Sequence, residues 1–102
     1  MSKKNTIKKY KIKRDCWDLD KAFLIWLHER LPVYLHDAGV LVDLNFHKFI
    51  YHEKEYTQRE LVVRMIHLLD SICAGIVDLE EEYNSINEVL EIWSLVFHAM
   101  WW

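Results

Sequence analysis

Apolar residues along the chain fall into three helical stripes, with one aromatic-rich stretch between the first and the second. In the first, Trp17, Leu24, Leu27, Leu31 and Leu35 recur at steps of seven, three, four and four, a spacing that gathers side chains on one helix face. Asp15–Cys16–Trp17–Asp18 offers this helix an acceptor cap and early acids suited to the positive end of its dipole. Pro32 lies inside the stripe and removes a backbone donor, which predicts a kink or a split near Arg30–Leu31. Asp37–Ala38–Gly39 reads as the stop, with Gly39 in the left-handed position.

The second stripe has the strongest start signal. Thr57–Gln58–Arg59–Glu60 matches the capping box, in which hydroxyl and carboxylate each satisfy an orphan backbone donor. Leu61, Met65, Leu68 and Ile72 follow, flanked by Val62, Ile66, Leu69, Cys73 and Ile76, so this helix is expected at the centre of the core and Gly75 at its end. In the third stripe Leu79, Tyr83, Ile86, Leu90, Trp93, Phe97 and Met100 alternate steps of four and three behind an Asp78–Leu79–Glu80–Glu81 start. That heptad-type seam is read as core, with the last two helices antiparallel.

The remaining segments are shorter. Residues 40–56, with Leu44, Phe46 and Phe49–Ile50–Tyr51, have the aromatic and β-branched content of a small hairpin. Its turn falls at His52–Glu53–Lys54, without an Asn-Gly or Asp-Gly pair. Between Thr6 and Lys13, Tyr10 and Ile12 alternate with lysines, which suits an edge strand or extended arm. The expected architecture is mainly α: a three-helix domain, its first helix kinked at Pro32, with a small β-hairpin between helices 1 and 2. Residues 1–14 form a basic N-terminal arm and residues 15–102 a single helical domain.

Charge sharpens that division. The total of −3 hides seven basic residues in positions 1–14 (Lys3, Lys4, Lys8, Lys9, Lys11, Lys13, Arg14) and no acid there. The rest carries six bases against sixteen acids, a net −10. An apolar fraction of 52% is incompatible with wholesale disorder, and two glycines and one proline argue against a turn-rich β fold or a Gly-rich phosphate loop. A 102-residue chain buries roughly two-thirds of its unfolded surface, enough for one core. Cys16 and Cys73 are solitary and far apart, which fits a reducing cytoplasm rather than a disulfide scaffold or zinc ribbon. No apolar run is long enough for a membrane span, and charges at Asp15, Asp18, Asp20 and Lys21 interrupt any signal-peptide core. A cytoplasmic location is expected.

Tyr10–Lys11–Ile12–Lys13–Arg14–Asp15–Cys16–Trp17–Asp18–Leu19–Asp20 resembles the opening of small helical proteins encoded by phages and prophages of mainly Gram-positive bacteria, whose first helix starts on a D-L-W-x-L-D-like segment. Leu31–Pro32–Val33–Tyr34–Leu35 is similar to a late proline in that helix, and Arg64–Met65–Ile66–His67 to a Met-Ile segment in a middle helix. Leu90, Phe97 and Trp101 are similar to its closing aromatic helix. Cys16 stands where the group usually has leucine, and the aromatic-rich insert at 44–56 departs from the pattern. The resemblance implies a mobile-element protein acting on host defence, in the host cytoplasm, and it transfers no catalytic residues.

Candidate chemistry is sparse. Six histidines (His28, His36, His47, His52, His67, His98) lack helical metal-ligand spacing, although His47 and His52 could meet across the hairpin; no metal site and no cofactor are expected. Cys73 reads as a small buried hydrophobe, and Cys16 sits at a helix start among acids that oppose thiolate formation. Glu80–Glu82 and Glu88/Glu91 read as solvated charge, so an enzyme is not expected. Lys11, Lys13 and Arg14 beside Trp17 form a candidate ligand-binding set, because cations next to an aromatic face hold a phosphate and stack a base. The acidic remainder argues against duplex nucleic acid. Trp26, Trp101 and Trp102 fit the stripes poorly and are candidate interface residues. The expected function is a non-enzymatic, self-associating binding protein that counters host defence, in its sharper form by sequestering an anionic, nucleotide-like signal molecule. The alternative is an acidic inhibitor that mimics nucleic acid to block a host nuclease or defence effector.

Overall fold

The computed structural model describes residue 9 and residues 11–13, 16–75 and 77–100. It is mainly helical, with one two-stranded sheet. A helical N-terminal segment, α1 (described residues 9 and 11–13), precedes α2 (Leu19–Leu41). Strands β1 (Lys48–Tyr51) and β2 (Lys54–Thr57) follow, then α3 (Gln58–Ala74), α4 (Leu79–Val96) and a 3-10 turn (Phe97–Ala99). The hairpin therefore lies between the second and third of four helices, not between the first and second of three. The difference arises at residues 9 and 11–13, which are helical rather than extended. Lysines are good helix formers, and a lone strand without a sheet to join has no partner for its backbone.

The split near Arg30–Leu31 and the left-handed Gly39 expected of α2 are corrected. The helix runs unbroken through Pro32 to Leu41, and Gly39 is helical rather than left-handed. Proline leaves the carbonyl of His28 without its helical donor. Leu24 and Leu27 before it and Leu31 beside it are all buried, so packing holds the helix together across the defect. At Gly39, Arg59 and Leu44 approach to within 3.6 and 3.8 Å of where a Cβ would stand, and the helix ends instead with the amide of Val42 donating to Ala38.

The cap signals of α3 and α4 are realised. The Thr57 hydroxyl accepts from the Glu60 amide at 3.2 Å and the Glu60 carboxylate from the Thr57 amide at 3.0 Å, while Gly75 closes α3 at φ 67°. The Asp78 carboxylate accepts from the Glu81 amide at 2.8 Å and so starts α4.

Strand pairing is antiparallel, Phe49 opposite Tyr56 and Tyr51 opposite Lys54, which leaves a two-residue turn at His52–Glu53. Both turn residues have positive φ, 50° and 65°, the geometry that matches strand twist and that glycine or asparagine normally supplies. The core centres on α3: Leu61, Val62, Met65 and Leu69 pack between Leu24, Leu27 and Leu31 of α2 and Val89, Ile92 and Val96 of α4, with Tyr51 from the hairpin. Both α2 and α4 rest on α3, and the contact of the Phe23 and Trp93 rings bridges the groove between them. No described helix is long and apolar enough to cross a membrane.

Candidate interaction face

α4 carries more apolar surface than α3 can cover. Its buried stripe is Val89, Ile92 and Val96. The heptad seam lies about a quarter-turn away and is not core along its length. Ile86, Trp93 and Met100 are half-buried against the core and line the groove toward α2. Leu79, Tyr83, Leu90 and Phe97 are 85%, 69%, 44% and 53% exposed. This corrects the reading of the whole seam as core, and the cause is its angle to α3.

Across the groove, α2 contributes Phe23 and Trp26. Phe97 meets Trp93 edge-on with ring centres 5.3 Å apart, Trp93 meets Phe23 at 6.3 Å, and Phe23 stacks on Trp26 at 6.3 Å. Edge-on and offset stacking are the arrangements that ring quadrupoles favour. The Arg30 guanidinium lies 4.7 Å over the Trp26 ring and donates to the Trp26 carbonyl at 3.2 Å. Trp26 and Phe97, at the two ends of this ladder, are both exposed. The cleft that continues the groove toward the start of α2 encloses about 350 Å³, with Leu24, Ile25, Ile72 and Ile86 in its walls and Asp20, Lys21 and Glu82 around them.

Cys73 also lines this cleft and is exposed, which corrects its reading as a buried hydrophobe. Burial of its sulfur against the wall, then Asp70, pushes the thiol pKa up and away from nucleophilic character. Cys16 is exposed.

The candidate ligand set is only partly described. Lys11 and Lys13 are exposed on α1, and Trp17 is 78% exposed in the turn before α2. None of these three lines the 350 Å³ cleft or the groove between α2 and α4. Arg14, Trp101 and Trp102 lie outside the described residues.

His47 and His52 do not meet across the hairpin. His47 precedes β1 and its carbonyl accepts from the Gln58 amide, whereas His52 is in the turn at the other end of the strand, a separation of roughly 17 Å at 3.3–3.4 Å per residue. Among the described residues, no three His, Cys, Asp or Glu side chains gather as a metal site. His28 instead bonds Asp70 at 2.6 Å and ties α2 to α3.

The acids of α4 past its first turn have structural partners. Glu91 accepts from the Tyr51 hydroxyl at 3.1 Å and lies 3.4 Å from His52 Nε2, which fastens the hairpin turn to α4. Glu88 pairs with Arg64 of α3. Burial, reinforced by Glu91 and Glu88, pushes the Tyr51 hydroxyl up to about 12. Gln58 is buried and its amide donates to the Tyr34 hydroxyl at 2.8 Å and the Ala99 carbonyl at 3.2 Å, which joins α2, α3 and the C-terminal turn.

Of the residues forming the aromatic face, composition singled out Trp26 only. Phe97 and Leu90 were in the seam but read as core, while Phe23 and Arg30 carried no such reading; the signal that could have found them is their place one turn from Trp26, at i−3 and i+4. Comparison of the chain with protein-family models, with curated proteins and with solved structures finds no match.

Proposed function

We propose that this chain is a non-enzymatic binding protein that self-associates, working in the phage-like, anti-defence setting its sequence resembles. The observation carrying this reading is the ladder Phe97–Trp93–Phe23–Trp26, which crosses two helices and ends at exposed rings on both sides. Contiguous aromatic surface of this kind marks interfaces, where Trp and Arg contribute most of the binding energy. Sedimentation velocity on the full chain at micromolar concentrations is the test. Assembly, weakened by Trp26→Ala with helix content retained, is the expected result, and a monomer across the concentration range overturns the reading.

Capture of an anionic, nucleotide-like molecule is the sharper form of the proposal. Its support is the exposed Trp17 indole a few residues from the exposed Lys11 and Lys13. Indole fluorescence titrated with cyclic and linear nucleotides is expected to change in the full chain and not in Trp17→Ala. The acidic-mimic alternative draws less support, because Glu88 and Glu91 are engaged with Arg64, Tyr51 and His52.

A further inference from the structure

The exposed strip on α4 has a register that specifies its own complement. Leu79, Tyr83, Ile86, Leu90, Trp93 and Phe97 occupy alternating a and d positions of a heptad. Reversing the helix about a point level with Glu88 superposes the set on itself: Leu79 falls beside Phe97 of a second copy, Tyr83 beside its Trp93, and Ile86 beside its Leu90. Each a residue then meets a d residue, the layering of an antiparallel helix pair, and the contact is isologous. Four of these six side chains are exposed in the single chain and the other two face the α2–α4 groove.

Charge selects this direction over the parallel one. The first turn of α4 holds Glu80, Glu81 and Glu82, and α4 has no basic residue in its last turn. Parallel pairing would bring the two acidic turns together. Antiparallel pairing sets each against the other copy's C-terminal half of α4, where Arg30 reaches from α2 over Trp26 beside Trp93 and Met100, and where His98 is exposed. The residues at the solvent edge of the seam after Glu80, Asn87 and Ser94, are uncharged and bring no like charges together.

We infer that two copies of this chain pair antiparallel through the outer seam of α4, each placing its acidic first turn near the other's Arg30. This rests on the self-association proposed above and adds to it the face, the direction and the register. The test is disulfide trapping in the full chain with Cys16→Ser and Cys73→Ser, read beside sedimentation. Glu80→Cys and Ser94→Cys are exposed positions that come together only across an antiparallel pair. Mixing the two variants under mild oxidation is expected to give a crosslinked heterodimer, and neither variant alone is expected to crosslink. Leu90→Glu, also at an exposed position, is expected to weaken the dimer by about 100-fold or more, since two leucines leave the interface, with an unchanged far-UV spectrum. Crosslinking of each variant with itself, or a dimer that persists in Leu90→Glu and is not trapped in the mixture, overturns this pairing and leaves self-association standing. A monomeric wild-type chain overturns both.

Discussion

Replacing Glu53 with glycine is expected to stabilise the protein. Both central residues of the hairpin turn lie in the left-handed region, at φ 50° and 65°. There an L side chain crowds the following carbonyl, a cost of roughly 1–2 kcal/mol per residue. Glu53 is exposed and has no hydrogen bond or ion pair among the described residues that would offset the cost, whereas His52 stacks on Tyr51 at 4.2 Å and reaches Glu91. Glycine relieves the crowding but adds freedom to the unfolded chain, which takes back about 0.5–1 kcal/mol. The net gain is about 0.5–1 kcal/mol, a rise of about 2–8 °C in Tm for a domain of this size. Urea unfolding followed by far-UV circular dichroism measures it, with the slope unchanged so that the midpoint reports stability alone. A midpoint equal to or below wild type would refute the argument, because it would mean that the positive-φ geometry carries no removable strain.

Alkaline titration tests the attachment of that turn to α4. The Tyr51 hydroxyl is raised to about 12, above its unfolded value near 10, so its contribution is complete below about pH 10 and is lost as pH rises through 12. Wild type is expected to lose on the order of 2 kcal/mol across that window and Tyr51→Phe much less, measured as unfolding midpoints at each pH; parallel losses would contradict the assignment. Thr57→Ala removes the hydroxyl half of the capping box and is expected to cost about 1 kcal/mol in chemical denaturation, with Thr57→Ser retaining most of it. Gly39→Ala is expected to raise the thermal midpoint through a gain of about 0.5 kcal/mol, since the position is helical and a Cβ meets neighbours only at 3.6 Å and beyond.

The parts of the fold readable in the sequence are those set by local chemistry. The capping box at Thr57–Glu60, the Asp78 cap and the Gly75 stop each need only residues within a few positions, and all three are present. Pro32 and Gly39 were misleading because each acts against a helix locally, while the burial of the α2 leucines that holds the helix together is tertiary. The hairpin was recognisable from its aromatic content, but not the left-handed conformation of His52 and Glu53, because histidine is enriched at positive φ while glutamate is not, and the pair does not make a turn signature. The same division applies to the face on α2 and α4. Trp26 stood out by composition, yet its stacking on Phe23 and the link through Trp93 to Phe97 depend on how two helices lean on α3, which no local pattern encodes.

The seam of α4 shows why periodicity alone cannot separate a core from an interface. A heptad says that a helix has a neighbour along a given line and is silent about which chain supplies it. On α4 the apolar positions span more than one face: Val89, Ile92 and Val96 face α3, Ile86 and Trp93 face the groove with α2, and Leu79, Tyr83, Leu90 and Phe97 are left over. A domain of this size cannot wrap a helix on every side, so a helix with apolar residues beyond its covered arc is an interface or an aggregation hazard. Charge placement separates those two outcomes. Glu80, Glu81 and Glu82 at one end of the strip, with Arg30 toward the other, penalise parallel stacking and are the ground for the closed pair proposed above. In the proposed antiparallel pair each acidic turn would face its counter-charge, Arg30 of the second copy, and the two-fold relation would use up the strip and leave no open end from which a longer assembly could grow.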